Sequence, residues 1–347
     1  ILSRLYLSMA GLTTDGQYNG SNIATDFNRG TRNTYYLDLA RQAALKAIEG
    51  PYSLLDNYGD LFAYQTANNN SESLFQLQWL TGSTDAIGWG CNNAMQAFFA
   101  WSTMVGETNW GNATYASYDL VREYDPQDRI RRHNTICTVG EYYSELNSKN
   151  GGYTYNVTES GYDNKCNIKK HVIGKIDDNG QSYQQSSGVN TYMMRLAEVY
   201  LNLAEAILGN NASTTDETAL DYFNKVRIRA GMPELKSITY ENLRYERRIE
   251  FALEGLYWYD LLRRSYYQQQ EVVNYLNNQE RNAGYEWDES EACQYAKSSD
   301  GTGVATATVN NLTLPISDVD RGRNPELNNA PVAYEFGERE VTVTDLF

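Results

Sequence analysis

Histidine and cysteine are scarce in this 347-residue sequence, which limits the chemistry it can perform. It contains two histidines, His133 and His171, and four cysteines. No two cysteines have CxxC spacing and neither histidine lies at ligand spacing from one, which argues against a zinc site. A Ser-His-Asp or Cys-His catalytic arrangement would have to use one of these histidines, and no such motif surrounds either. We expect no cofactor; the segment 56–60 only half resembles a calcium loop.

Positive charge and long apolar runs are also in short supply. The 29 Lys and Arg residues face 44 Asp and Glu residues, which gives a net charge of −15. This balance disfavours binding to nucleic acid or to anionic lipid, because both would be repelled. No apolar run approaches the length of a membrane span. The sequence starts at Ile1 without a signal peptide or a lipidation cysteine, so we expect further residues upstream.

Tyrosine and tryptophan are abundant, with 29 Tyr and 6 Trp against 9 Phe. These side chains combine a flat apolar face with a polar edge, which suits half-wet binding surfaces. Most of the tyrosines are expected to fill the margins of the core. The four cysteines allow one or two disulfides, although a chain of this size does not need them.

Apolar periodicity predicts two pairs of helices. The first pair comprises 1–12, with Gly11 as its stop, and 34–50, which Gly50 closes. The second pair begins with 191–209 and continues after a capping box at Thr214 and Glu217, up to Gly231 and Pro233. On 191–209 the polar residues fall on one narrow stripe: Arg195, Glu198, Asn202 and Glu205.

The stretch ERRIEFALEGLYWYDLLRR, residues 246–264, decides between an enzyme and a scaffold. Thr239 should cap its helix, Gly255 should end it, and Glu246, Glu250 and Glu254 line one face at intervals of four residues. Paired carboxylates could perform acid–base catalysis. A row of Glu beside many Arg is more typical of a structural ion network, for which the candidate partners are Arg195, Arg263 and Arg264.

Two long regions without clear periodicity interrupt the helices. Residues 51–190 are rich in Asn, Ser, Gly, Tyr and Trp, and 266–313 form a second polar insert. Within the first region, 171–185 is predicted to form a hairpin that turns at 178–180. Long loops on a helical frame are where binding sites are usually found.

Four segments in order give the chain a resemblance to the SusD/RagB family of outer-membrane nutrient-binding lipoproteins. They are RLAEVYLNLAEAIL (195–208), ALDYFNKVRIRAGMP (219–233), the stretch 246–264 and LPISDVDRGRNPELNNAP (314–331). Segments 52–79 and 117–132 also fit. The resemblance implies one mostly α-helical SusD-like domain over 1–347, with long loops and short β-hairpins. Tetratricopeptide-like helical hairpins would lie in 1–50 and 191–264, and the ligand side in 51–190.

Three departures accompany the resemblance. Family members carry a longer N-terminal part that begins with a signal peptide and a lipidated cysteine. The element that often reads Gly-His-Arg-Trp-Phe-Asp is Gly255-Leu256-Tyr257-Trp258-Tyr259-Asp260 here. The segment 332–347 continues past the usual end of the family pattern.

The resemblance implies a non-enzymatic role at the extracellular face of the outer membrane. Such proteins capture glycans, or peptides in some members, and pass them to a SusC-like TonB-dependent barrel transporter. A lipid anchor upstream of this chain would hold it there. The alternatives are a peptide-capturing member of the same family, a helical glycoside hydrolase, and a helical-repeat scaffold that binds only proteins.

The ligand-binding residues are predicted from local composition, since the family has no fixed site motif. A tryptophan within a Gly/Asn loop lacks the periodic apolar neighbours that would bury it. The candidates of this kind, with their neighbours, are Trp89, Asn92, Asn93, Asn109, Trp110, Asn112, Tyr115 and Trp287. Three other tryptophans are expected to be structural: Trp79 in a buried strand, Trp101 in helix packing and Trp258 wedged into the core.

Overall fold

The computed structural model describes residues 1–80, 93–105, 114–156, 166–179, 182–183, 186–281, 285–287, 295–297 and 306–329. Its α-helices are α1 Leu2–Leu12, α2 Thr34–Ile48, α3 Met95–Phe99, α4 Ser102–Val105, α5 Tyr118–Glu123, α6 Arg129–Thr135, α7 Ile176–Asn179, α8 Leu196–Leu208, α9 Glu217–Arg229, α10 Tyr240–Glu250, α11 Tyr257–Ser265, α12 Gln269–Asn278 and α13 Asp318–Arg323. The fold is mostly α-helical, as predicted.

The strands are short and, in the described residues, pair two at a time in antiparallel fashion. They are β1 Ser73–Leu77 with β6 Thr191–Arg195, β2 Tyr142–Tyr143 with β3 Tyr153–Thr154, β4 Ser182–Tyr183 with β5 Ser186–Ser187, β7 Ser213–Thr214 with β8 Ile238–Thr239, and β9 Tyr285–Trp287 with β10 Tyr295–Lys297. Short 3₁₀ helices add Tyr58–Leu61, Ser148–Asn150, Val309–Leu312 and Pro325–Asn328.

The first predicted helical pair is confirmed. Leu7 of α1 packs against Leu37 and Ala40 of α2 in a buried cluster. Asn33 caps α2, since its Oδ1 accepts from the N–H of Tyr35 at 2.9 Å while its Nδ2 donates to Thr13 Oγ1 at 2.9 Å. The cap of α2 is therefore tied to the end of α1.

The second pair is present with different boundaries. Residues 191–195 form β6 rather than the first turns of a helix, and α8 begins only at Leu196. The capping box at Thr214 is wrong, because Thr214 lies in β7 and Asp216 caps α9 through its Oδ1, which accepts from the N–H of Ala219 at 2.9 Å. α8 is buried on nearly all sides, and it supplies much of a large apolar core shared with α9 and α10.

The stretch 246–264 is two helices and not one that runs to Gly255. Thr239 caps α10 in a capping box with Asn242, as predicted for Thr239, but α10 ends at Glu250. Leu253 adopts a left-handed φ of 65°. Two carbonyls of the turn after Glu250 contact side chains from the region 51–190. Lys170 Nζ donates to Ala252 O at 2.7 Å, and His171 Nε2 lies 3.3 Å from Leu253 O. These contacts stop the helix early.

The two regions expected to be loops contain more structure than the sequence indicates. The predicted 171–185 hairpin is wrong in position: α7 occupies Ile176–Asn179, and the small β4–β5 ribbon follows it. The insert 266–313 contains α12, which the composition alone does not reveal. Among the described residues, no helix is both long and apolar enough to span a bilayer.

Candidate functional site

The glutamate row of α10 and the turn after it forms the centre of a buried ion network. Glu246 binds Arg131 and Arg227, and Glu250 binds Arg131, Arg195 and Arg229. Glu254 binds Arg195 and Lys170, both at 2.9 Å. The side chains of these three glutamates are at most 3% exposed. The prediction of a structural network is confirmed.

Arg195 is the predicted partner that the network uses, and it joins the network to β1. Besides Glu250 and Glu254, it binds Glu72 Oε1 at 2.8 Å, and Glu72 directly precedes β1. The other two predicted partners are wrong. Arg263 binds Glu205 and Asp260 instead, and Arg264 binds Glu271 at 2.7 Å, because both lie on α11 beyond the turn.

The network keeps the Glu250 and Glu254 carboxylates ionised. Burial alone would raise the pKa of Glu250, but the guanidiniums of Arg229, Arg195 and Arg131 lower it to about 2. The pKa of Glu254 is also lowered, because Arg195 and Lys170 outweigh its burial. Neither group can serve as a proton donor at neutral pH, and neither flanks an open cleft. The glutamate row is therefore not a glycosidase pair.

The β1–β6 ribbon leads from this network to an open hollow. At one end Ser73 pairs with Arg195, and at the other Leu77 pairs with Thr191. Just beyond β1, Trp79 Nε1 donates to Thr191 Oγ1 at 2.9 Å, and the N–H of Trp79 donates to Asn190 Oδ1 at 3.0 Å. The first hydrogen bond orients the indole, and the second holds the backbone that carries it.

The hollow has a volume of about 370 Å³ and is mostly aromatic and apolar. Trp79, Met95, Phe98 and Phe99 line it, together with smaller polar residues. Phe98 is 39% exposed, so part of this lining is accessible to solvent. Flat rings with hydroxyl-bearing neighbours such as Thr191 are suited to a ligand that has both an apolar face and a polar rim.

The prediction that Trp79 lies in a buried strand is wrong. Its side chain is half-buried, because β1 ends at Leu77 and the chain then turns toward the hollow. Trp258 is also misjudged: it lies in α11 with 37% of its surface exposed and is not a core wedge. Trp101 is structural as predicted, packing against a buried cluster, although it lies between α3 and α4.

Most of the predicted ligand-binding residues lie outside the described residues. These are Trp89, Asn92, Asn109, Trp110 and Asn112, and they stay predictions. Trp287 lies in β9, whose residues are described only through their backbone pairing with β10.

Two predicted residues can be placed at or next to the hollow. Asn93 lines it, but the side chain is buried, because Nδ2 donates to Val189 O at 2.8 Å and Oδ1 accepts from the N–H of Met95 at 2.9 Å. Tyr115 is half-buried and directly follows Thr114, another lining residue. Asn93 therefore shapes the hollow through the backbone that it holds.

Sequence reasoning missed the residues that build the hollow itself. Phe98 and Phe99 belong to α3, where apolar neighbours suggested ordinary packing. The available signal was position: Asn93 and Thr114 lie within the Gly/Asn segments 85–93 and 107–115 around Trp89 and Trp110, and Trp79 lies six residues before the first of them. Residues that border such segments deserved the same weight as those inside them.

No group of three or more His, Cys, Asp or Glu side chains in the described residues is arranged to hold a metal ion. Cys166 is a buried thiol whose Sγ donates to the carbonyl of Cys137 at 3.3 Å, and no disulfide joins the two. The calcium question at 56–60 stays a prediction; Tyr58–Leu61 there forms a 3₁₀ helix.

Comparisons with known proteins agree with this fold. The SusD family model matches residues 54–332. A SusD-like protein of Bacteroides ovatus is 37% identical over 97% of this chain and 61% of its own length. The starch-binding protein SusD of Bacteroides thetaiotaomicron is 24% identical over 83% of this chain and 55% of its own length. The chain thus spans about 60% of the length of these relatives.

Solved structures extend the comparison. A crystal structure with xylogluco-oligosaccharide superposes with a TM-score of 0.81 at 35% identity, over 97% of this chain and 67% of that chain. A SusD superfamily protein from Parabacteroides distasonis has a TM-score of 0.59 at 18% identity, which shows a shared fold. With a family match over most of its length and a relative more than 30% identical, this chain belongs to the SusD family.

Proposed function

We propose that this protein is a non-catalytic glycan-binding protein of the cell surface, which captures oligosaccharides in the aromatic hollow. The observation that carries the proposal is the aromatic lining of the hollow, Trp79, Phe98 and Phe99, in a SusD-family chain. A pyranose ring offers C–H groups on its faces and hydroxyls on its rim. Aromatic side chains stack on such faces, and hydroxyl or amide side chains bind the rim.

The hollow is preorganised for this task. The Trp79 indole donates to Thr191, the Trp79 backbone N–H donates to Asn190, and Asn93 donates to the carbonyl of the neighbouring Val189. A ring that is already ordered loses little conformational entropy when a ligand stacks on it. Stacking requires no nucleophile and no tuned pKa, so the scarcity of histidine does not hinder this function.

We further propose that the protein is a lipoprotein anchored upstream of Ile1 at the extracellular face of the outer membrane. There it would deliver the glycan to a SusC-like TonB-dependent transporter. Family membership supports this extension. Co-expression with a candidate barrel and co-purification from detergent-solubilised membranes tests it; a barrel recovered without this protein would contradict the partnership.

Glycan affinity electrophoresis tests the binding site. Native gels containing xyloglucan or starch should retard the protein, and Trp79→Ala should reduce the affinity about tenfold or more, since a central aromatic anchor contributes ~2 kcal/mol. Trp258→Ala is the matched control, because that indole is also exposed but lies on α11 outside the hollow. Equal retardation of both variants would refute the assignment of the hollow.

Two further outcomes separate the rival functions. Sustained release of new reducing ends from either polysaccharide would identify a glycoside hydrolase and contradict a non-catalytic role. Binding on a peptide array without any binding on a glycan array would favour the peptide-capturing alternative. If the protein binds neither glycans nor peptides on the arrays but a protein partner is recovered, the scaffold alternative would be favoured.

A further inference from the structure

A second cavity, here called the cleft, lies between the 3₁₀ helix Tyr58–Leu61, α6 and the segment 169–173. Its volume is about 240 Å³. Its lining combines polar and charged side chains with an apolar floor: Asp60, His133, Glu145, Lys169, Phe62 and Ile173. None of these residues lines the hollow, so the cleft is a separate feature.

The charged groups of the cleft are held in fixed positions. Lys169 is 7% exposed, and its Nζ donates to Val172 O at 3.1 Å and binds Glu145 Oε1 at 3.0 Å. Burial raises the pKa of Glu145, but the Lys169 ammonium and hydrogen bonding lower it overall, so the group is a carboxylate at neutral pH. The Glu145 side chain is 45% exposed, which leaves it accessible to a ligand.

His133 lines the cleft, and its ring is held in a defined orientation. Its Nδ1 lies 3.1 Å from Glu141 Oε2, and its ring stacks on Tyr143 with centroids 4.6 Å apart. The neighbouring wall is closed by a tight approach: a Cβ on Gly59 would lie 2.7 Å from Asn134 Oδ1. A side chain at position 59 would therefore require the Asn134 amide to move.

The charges of the cleft select the class of ligand. Asp60 and Glu145 line it, and Glu141 lies behind His133, whereas Lys169 is already paired with Glu145. Glu141 is in turn paired with Arg132, so Asp60 is the one carboxylate of these three that no ion pair in the described residues neutralises. This remaining negative charge disfavours anionic sugars and phosphates. Carboxylates accept strong, short hydrogen bonds from hydroxyls. Phe62 and Ile173 are buried and form only the floor, so the accessible groups are mainly polar and fit a neutral polyhydroxylated ring.

The volume limits the ligand to a single ring. Pockets for drug-sized ligands typically enclose ~300–1,000 Å³, and the cleft lies below that range. It is separated from the hollow by a wall of three rings. The ring centroids of Phe62, on the cleft side, and His171 are 5.4 Å apart. Those of His171 and Phe99, on the hollow side, are 6.3 Å apart.

We propose that the cleft is a second carbohydrate subsite, which binds one neutral pyranose unit through Asp60, Glu145 and His133. The inference rests on the proposed function for its choice of sugar as ligand, but it uses different residues. Two weak sites on one chain raise the avidity for a long polysaccharide without any new contact at the hollow.

Saturation-transfer NMR on the intact protein, with methyl glucoside, methyl galactoside and methyl xyloside as probes, tests the cleft. We expect transfer to at least one glycoside, with its dissociation constant rising about tenfold in Glu145→Gln and in Asp60→Asn, as when a hydrogen bond to a charged group is lost. Glu49→Gln is the matched control, because Glu49 forms a similar pair with Lys46 at 3.0 Å outside the cleft. Trp79→Ala weakens the contribution of the hollow, and in that background the remaining signal should still be reduced by Glu145→Gln and by Asp60→Asn.

The outcomes separate the cleft from the hollow. A signal abolished by Trp79→Ala and kept in both cleft variants places all binding in the hollow and overturns the second subsite. No transfer to any glycoside in the wild-type protein also overturns it, even if polysaccharide retardation supports the hollow. Gln65→Trp, made at an exposed residue that lines the cleft, should block binding without removing a charge; normal binding in this folded variant contradicts the proposal.

Discussion

Arg195→Met offers a direct test of the buried ion network. In the described residues, the connected network around Arg195 contains five carboxylates and five cations, so its formal charges balance. Methionine fills much of the same volume but leaves one negative charge without compensation. Glu72 and Glu250 would keep Arg229, and Glu254 would keep Lys170.

The magnitude follows from this uncompensated charge. Breaking a buried ion pair by removing one partner costs ~3–5 kcal/mol. Domains unfold with free energies of ~5–15 kcal/mol, so the loss is a large part of the total. Arg41→Met provides the comparison: the Arg41–Asp38 pair is 42% and 52% exposed, and such surface pairs contribute ~0–1 kcal/mol.

Urea denaturation followed by far-UV circular dichroism measures the free energy of unfolding of both variants. The double variant Arg195→Met/Glu254→Gln restores the charge balance and should recover part of the lost stability. A loss in the free energy of unfolding for Arg195→Met that is no larger than for Arg41→Met would contradict the charge-balance reasoning. A double variant less stable than Arg195→Met alone, by the full cost of a second broken ion pair, would contradict it as well.

Three further predictions concern stability and reactivity. The pKa of Glu250 is lower in the folded protein than in the unfolded chain, so ionised Glu250 stabilises the fold above pH ~4.5, and this stabilisation is lost as the pH falls toward 2. Glu250→Gln should therefore weaken the dependence of the free energy of unfolding on pH in this acidic range. An unchanged dependence would contradict the prediction. Thr239→Ala should destabilise the protein by ~1 kcal/mol through loss of the α10 capping box, with Thr239→Ser as the conservative control in thermal melts; equal melting temperatures would contradict the cap. Burial raises the thiol pKa of Cys137 and Cys166, so neither should react with a maleimide in the native state at pH 8, as peptide mass mapping after quenching will check; labelling before unfolding would refute their burial.

The sequence predicted the helical scaffold because apolar periodicity and caps are local signals. α1 and α2 were placed within two residues of their ends, and Thr239 was correctly identified as a cap. The boundary of α8 was misplaced because residues 191–195 are partly apolar and suit either a helix or a strand. Their pairing with β1, more than one hundred residues earlier, decides the matter, and no local pattern contains that information.

Tertiary contacts also account for the misjudged site residues. Trp79 has apolar neighbours in sequence, yet its exposure depends on where β1 ends and on its hydrogen bond to Thr191. The end of α10 depends on Lys170 and His171, which approach from the loop side. The family could be identified from ordered motifs, whereas the hollow and the cleft arise from residues distant in sequence.

The β1–β6 ribbon connects the hollow to the ion network, and this has a consequence for how ligand is held. Trp79 and Thr191 lie at one end of the ribbon. Glu72 and Arg195 lie at the other end, where a buried ion pair fixes their positions. A tilt of the Trp79 indole would require the ribbon to move against the Glu72–Arg195 ion pair. We therefore expect ligand binding to leave the ribbon unchanged, so that the ligand-free and ligand-bound structures superpose closely along it.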